Sequence, residues 1–328
     1  MYGEMMQYYG LVKGFDKADY FETEAFKRIL GSLEIAVLSG GIITLTGIVG
    51  VGKTTIIRHF QDDLKKKNQV IVAKSLATDK RRVNINTLYT ALFADLPTAK
   101  DFKVPTQAEI RERKLQELIR KINKPIAFFI DGAHDLHWRT LIGLKQLLET
   151  IEDAKGTLTI IMVGHPKLGN DLNRPAMEEI GARAKLFSLD SWGQQKQRYI
   201  EWVLTHCSKP KTSIHDIVTP DAINLLAERL ITPLQICHYL TLALIKGATT
   251  GTKPVNTEII EAVPLPDLNA LEPELARHGY NTAALCEHLN ARKGEIKAYF
   301  NGQLPAARAE EFNKEIHKLG IPPVLGAG

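Results

Sequence analysis

Two hydrophobic periods alternate along the first 165 residues. Short, nearly continuous apolar runs, rich in β-branched residues, occur as GIITLTG (41–47), QVIVAKSL (69–76), PIAFFID (125–131) and LTIIMVGH (158–165). Such runs read as buried strands. Between them lie longer segments whose apolar residues return every three or four positions: KTTIIRHFQDDLKKK, NINTLYTALFADL, QAEIRERKLQELIRKI and RTLIGLKQLLETIED. Those read as amphipathic helices. Strands alternating with helices predict an α/β fold with a parallel sheet and crossover helices. From about Ser191 to Val263 the pattern is helical only. VPLPDL at 263–268 is punctuated by proline and reads as a linker, and short helices follow it. Three parts are expected: an α/β core over 1–190, a small helical part over 191–262 and a C-terminal helical module over 263–328.

GIVGVGKT at 47–54 fits G-x-x-x-x-G-K-[ST] and sits where that motif works, after a strand and before a helix. Gly47, Gly50 and Gly52 let the loop curl so that backbone N–H groups, with Val49 and Val51 between them, surround phosphate oxygens. The helix N-terminus adds partial positive charge from Lys53, Thr54 and Thr55 onward. Lys53 is expected to reach the β- and γ-phosphates of ATP, and the Thr54 hydroxyl to meet Mg²⁺. Asp131 ends an apolar strand, the context for a magnesium-holding carboxylate. His165 ends the next strand, where it either senses the γ-phosphate or serves as a capping or loop histidine.

These residues carry a resemblance. The chain is similar to AAA+ ATPases of the group containing MuB, TnsC, TniB and the ExeA/GspA-type proteins. YYGL…YFETEAFKRILGSLEIAVLSGGIITLTGIVGVGKTT follows the start of ExeA-type ATPases in order and spacing, IDGAHDL stands where the group has IDEAxxL, and VGHPKL where it often has VGQPEL. The resemblance implies a P-loop AAA+ core, a helical lid over 191–262, ATP and Mg²⁺ as ligands, and homo-oligomeric rings or filaments. Its transposon members bind double-stranded DNA, mark a target and stimulate a transposase of the DDE type. A neighbouring subunit usually supplies an arginine; Arg183 is the first candidate here and Arg174 the second.

Two departures from the group matter. Gly132 replaces the glutamate that activates water. ITPLQI at 231–236 stands where the lid often reads GNPRxI, so Leu234 and Gln235 replace a sensor arginine. Both predict slow hydrolysis, because a general base commonly contributes ~10²–10⁴-fold. His134 or Asp135 is not expected to restore the rate fully.

For DNA, the resemblance points to the loop after the second strand, with Lys80, Arg81 and Arg82, and to Arg139 after the third. The tail GYNTAALCEHLNARKGEIKAYFNG resembles a repressor-type helix-turn-helix. It has Thr282 as a cap, Leu285, Leu289, Ile296 and Phe300 inward, and Arg292, Lys293 and Lys297 as contacts. A protein-docking module is the alternative for this tail.

Composition adds little to this reading. The net charge of +5 permits an anionic partner without requiring one. Cys207, Cys237 and Cys286 have no CxxC spacing and read as reduced thiols. No apolar run approaches the ~18 residues of a membrane span. A cytoplasmic protein without membrane insertion is expected. A secretion-type ATPase like GspA, and a nucleotide-gated scaffold with no DNA role, are the competing expectations. The first of these should carry a membrane segment and a wall-binding domain after the ATPase.

Overall fold

The computed structural model describes residues 2–77, 82–98, 102–189, 192–264 and 270–321. In chain order, α1 (Tyr2–Tyr9) and α2 (Glu24–Ser39) precede β1 (Gly41–Gly47). Next come α3 (Lys53–Lys67), β2 (Ile71–Lys74), α4 (Ile85–Asp95), α5 (Ala108–Ile122) and β3 (Ile126–Asp131). Then follow α6 (Trp138–Asp153), β4 (Leu158–Gly164), α7 (Pro166–Leu172), α8 (Glu178–Gly181) and β5 (Ala184–Leu189). The rest is helical: α9 (Gln195–Cys207), α10 (Pro220–Arg229), α11 (Pro233–Thr250), α12 (Thr257–Glu261), α13 (Leu271–Arg277), α14 (Thr282–His288), α15 (Lys293–Phe300) and α16 (Ala306–Lys318). Contacts divide the chain into two compact units. One joins Met1–Glu22, Ile48–Gly52 and Asp190–Gly328; the other joins Thr23–Gly47 and Lys53–Leu189.

The second unit is the α/β layer structure. Its five strands run parallel in the order β2-β3-β4-β1-β5. The central strands are buried on both faces, β4 throughout and β1 at all but its first residue, which is why they read as continuous apolar runs. One face buries Phe128, Ile130, Ile160 and Met162 against Leu88, Leu92, Leu115, Leu144 and Leu147 of the crossover helices. β5 was not legible as a strand. It is an edge strand bonded only to β1, with Lys185 and Leu186 exposed, so it lacks the apolar continuity of its neighbours.

In the first unit, α1 packs on α11, and the Tyr9 hydroxyl donates to Thr252 O at 2.7 Å. Residues 271–321 hold their own core of Leu275, Tyr280, Leu285, Leu289, Ile296, Phe312 and Ile316. Leu285, Leu289 and Ile296 thus point inward as expected, and Phe300 packs at the margin. The cap of α14 differs from the expectation. Asn281, not Thr282, accepts from Ala284 N at 3.0 Å, and Thr282 is already helical. Asparagine is at least as good a cap as threonine, so the boundary moves by one residue.

Candidate nucleotide site

β1 delivers the chain to a loop that only glycine can form. Gly50 and Gly52 have φ of +82° and +108°, in the region where a Cβ is strained. α3 starts at Lys53, directly after the loop in the chain, and the first N–H groups of a helix have no partner within it. The Lys53 ammonium donates to Gly47 O at 2.7 Å, which ties the start of α3 to the end of β1. Lys53 is 9% exposed, and this burial pushes its ammonium down to about 8, partly opposed by the Asp131 carboxylate. A buried cation of this kind is stabilised by an anion such as a phosphate.

Next along α3, the Thr54 hydroxyl donates to Asp131 Oδ2 at 3.1 Å. The fit to Mg²⁺ can be tested on this distance. Mg–O bonds of ~2.0–2.1 Å at right angles place adjacent ligand oxygens about 2.9 Å apart. A hydroxyl and a carboxylate 3.1 Å apart therefore suit two neighbouring corners of an octahedron with little movement. No group of three or more His, Cys, Asp or Glu suited to a metal occurs among the described residues.

The end of β3 is shaped by Gly132. Its φ of +72° turns the chain out of the strand direction, and Ala133–Asp135 follow as a 3₁₀ turn. Asp131 Oδ1 accepts from Gly132 N at 2.9 Å, which fixes the carboxylate. The turn packs on the end of β4, where a Cβ added at Gly164 would lie 3.2 Å from both Cβ and N of His134. His134 meets His165 edge-on, with ring centroids 3.8 Å apart at 67°. His165 stands at the N-cap of α7, yet its side chain makes no capping bond. The capping alternative for this residue therefore has no support in the geometry.

The backbone of the loop is also engaged within the first unit. Trp192 Nε1 donates to Val51 O at 3.0 Å, Leu234 N to Gly50 O at 3.4 Å, and Val49 N to Arg277 O at 3.1 Å. Trp192 and Arg277 were not anticipated. A lone tryptophan after a strand is a faint signal, and a contact through a backbone carbonyl leaves none. The 231–236 segment explains its missing arginine locally. Thr232 caps α11, Pro233 opens it, and Gln235 Oε1 accepts from Ile231 N and Thr232 N at 2.9 and 3.2 Å. Gln235 is thus committed to a capping box. Leu234 lies over Gly50, where an added Cβ would come within 2.7 Å of Leu234 Cβ.

The other predicted residues are dispersed. Arg183 pairs with Glu149 at 3.3 Å and Arg174 with Asp171 at 3.1 Å, both arginines remaining exposed. Arg82 precedes α4. The Arg139 guanidinium lies 5.2 Å from the Trp138 ring centroid. Lys80 and Arg81 lie outside the described residues. In the C-terminal module, Arg292 is the N-cap of α15, its N–H donating to Glu295 at 2.8 Å; Lys293 and Lys297 belong to α15. Arg292, Lys293 and Lys297 fall in the first unit, and Arg82, Arg139, Arg174 and Arg183 in the second.

Comparison with known proteins agrees with this geometry. Residues 37–170 match the family model of the AAA domain. General secretion pathway protein A of Aeromonas hydrophila is 25% identical over 198 residues, 57% of this chain and 33% of that protein. The chain therefore spans about a third of the length of that curated relative. Among solved structures, Cdc6p from Pyrobaculum aerophilum superposes with a TM-score of 0.51 at 14% identity, covering 95% of this chain and 85% of that one. The Aeropyrum pernix Orc1 protein in complex with DNA gives 0.51 at 15% identity, covering 90% and 83%. At such identities the likeness is one of fold. Residues 37–170 thus carry the match to an AAA domain, and the chain has the AAA+ P-loop α/β fold followed by a helical C-terminal region.

Proposed function

We propose that this protein is an ATP-dependent, DNA-binding regulator of DNA transposition. It assembles as a homo-oligomer on target duplex and recruits or activates a transposase. In this reading residues 1–190 form the nucleotide-binding core, 191–262 the lid and 263–328 the C-terminal module. The observation that carries it is the combination at the end of β3: Asp131 is held 3.1 Å from Thr54, ready for Mg²⁺, while Gly132 supplies no carboxylate for water. Bound Mg²⁺ would neutralise charge on the β- and γ-phosphates. Lys53 binds and orients those phosphates, and Thr54 and Asp131 hold the ion. Binding is therefore kept and turnover slowed, so the ATP-bound assembly persists on DNA. A ligand that binds only the assembled state shifts the equilibrium without being cleaved.

The DNA part of the reading is supported by the exposed arginines Arg82 and Arg139, by the α14–turn–α15 arrangement, and by the fold shared with an Orc1 protein solved with DNA. Arg183 is the proposed trans arginine. A secretion ATPase is the second reading, favoured by the similarity to General secretion pathway protein A. No helix among the described residues is long and apolar enough to cross a membrane. Filter binding to duplex DNA with and without ATP, repeated over a salt series, separates the two. A regulator of transposition shows ATP-dependent binding with a steep salt slope. Binding that is absent, or indifferent to ATP, removes the first reading.

A further inference from the structure

We propose that the cavity beside β2 holds a short extended segment of a partner protein, one that sets a large apolar side chain next to a carboxylate. Ile71, Leu96, Leu118 and Ile122 line the cavity, together with Lys121 and Lys124, and its volume is about 530 Å³. That lies within the ~300–1,000 Å³ range of clefts that hold ligands. Ile71, Leu118 and Ile122 are only partly buried where they pack on the helix-covered core, so apolar surface is left to cover. Ile71 opens β2 and Lys124 stands two residues before β3, whereas Asp131 ends β3. In a parallel sheet these are opposite ends, so the cavity is separate from the Mg²⁺ residues and its occupant does not depend on the nucleotide reading.

The backbone beside the cavity explains why a peptide fits it. β2 is an edge strand, bonded only to β3. Ile71 N donates to Pro125 O and Ser75 N to Phe129 O, both at 2.9 Å. Strand alternation therefore turns the N–H groups of Val72 and Lys74 to the open side. Lys74 N is taken by Asp95 Oδ2 at 2.8 Å, whereas Val72 N has no such partner among the described residues. Asp95 also lines the cavity, so cavity and open edge adjoin. An added strand pairs at Val72 and sends a side chain into the cavity. Sheets take peptides in this way: main-chain bonds bind, and pockets for alternate side chains select.

Charge selects the partner. Lys121 and Lys124 are exposed, and among the described residues neither forms an ion pair. Lys124 Nζ donates to Asn68 O at 3.1 Å. The nearby acids are engaged: Glu117 accepts from Lys114 at 2.7 Å, and Asp95 from Lys74 N. Lys121 sits in the last turn of α5, where it also offsets the helix dipole. Lys124 lies beyond Asn123, which leaves the helix at φ +45°, so helix polarity does not account for it. Two ammonium groups on an apolar cleft favour a carboxylate beside the anchor and disfavour a basic group there.

The test uses the full chain without nucleotide and a short capped, labelled peptide in which one phenylalanine is flanked by two aspartates. Fluorescence anisotropy should show saturable binding with a Kd below about 1 mM. Replacing the phenylalanine by alanine should weaken it about tenfold, and replacing the aspartates by lysines by about as much. Lys121→Glu combined with Lys124→Glu should reverse the preference, so that the lysine peptide binds better; a misfolded chain would not produce a reversal. Hydrogen exchange at the Val72 amide should slow when the aspartate peptide is bound. The absence of saturable binding, equal binding of the two charged peptides, an unreversed preference or unchanged exchange at Val72 would each overturn the proposal. So would binding of dodecanoate but not of the peptide, which would make the site one for an amphiphile. A probe affinity that falls as the chain is concentrated would give the cavity to a second copy and overturn it equally.

Discussion

Lys53 gives ATP binding a pH dependence whose size follows from its burial. The ammonium, normally near 10.5, is pushed down to about 8 because burial outweighs the attraction of Asp131. Phosphates select the protonated form. A group titrating at about 8 is charged in roughly 90% of free molecules at pH 7 and roughly 10% at pH 9. If the bound state keeps its proton, affinity falls about tenfold between these values, or about 1.4 kcal/mol, and proton uptake per nucleotide rises from about 0.1 at pH 7 through about 0.5 at pH 8 to about 0.9 at pH 9. The same shift acts on the nucleotide-free fold. The unfolded chain holds this proton more tightly, so stability is lowest below pH 8 and rises as pH goes from about 8 towards 10.5. Titration calorimetry at pH 7, 8 and 9, in two buffers of different ionisation enthalpy, reads both affinity and proton uptake. Lys53→Arg is the control, since a guanidinium stays charged throughout. An affinity that is flat for the natural chain, or that falls in parallel for both proteins, would refute the assignment of Lys53 as the titrating contact.

Three further outcomes are expected. Gly50→Ala should lower stability by about 1–3 kcal/mol in urea unfolding, because its φ is +82° and the new Cβ meets Leu234 Cβ at 2.7 Å and Thr232 Oγ1 at 2.8 Å; an unchanged midpoint would contradict this. Gly132→Ala should cost about 1–2 kcal/mol and Gly132→Asn less, since asparagine tolerates the left-handed region better; equal costs would show that the turn relaxes. Arg183→Ala should change stability by less than about 1 kcal/mol, as its pair with Glu149 is exposed, yet weaken ATP-dependent assembly in sedimentation. Normal assembly would pass the trans role to Arg174 or elsewhere.

The α/β core was legible because its strands are buried on both faces. PIAFFID and LTIIMVG leave no polar alternation to confuse with a surface strand. β5 was not, because Lys185, Leu186 and Ser188 are exposed and interrupt its apolar pattern. The phosphate loop was legible because φ above zero and a buried ammonium demand Gly and Lys at fixed spacing. The same logic was incomplete at Gly132. The sequence shows a missing side chain, whereas the structure shows a turn that re-aims the next three residues and pairs His134 with His165. The contact of Val49 with Arg277 lay beyond reach for another reason: a carbonyl acceptor is common to every residue, so no side chain marks it. Gln235 shows the converse. Its capping box is written locally in TPLQ, and it accounts for a residue that looked only like a lost arginine.

The central claim is that ATP holds this protein on DNA and is cleaved slowly. It is tested most directly by measuring phosphate release and the dissociation of labelled duplex on one sample of the natural chain with ATP and Mg²⁺. The account predicts release well below the ~1–10³ s⁻¹ typical of enzymes, with DNA leaving no faster than phosphate appears. Release at roughly 10 s⁻¹ or above, or a duplex complex whose lifetime is the same without ATP, would contradict it.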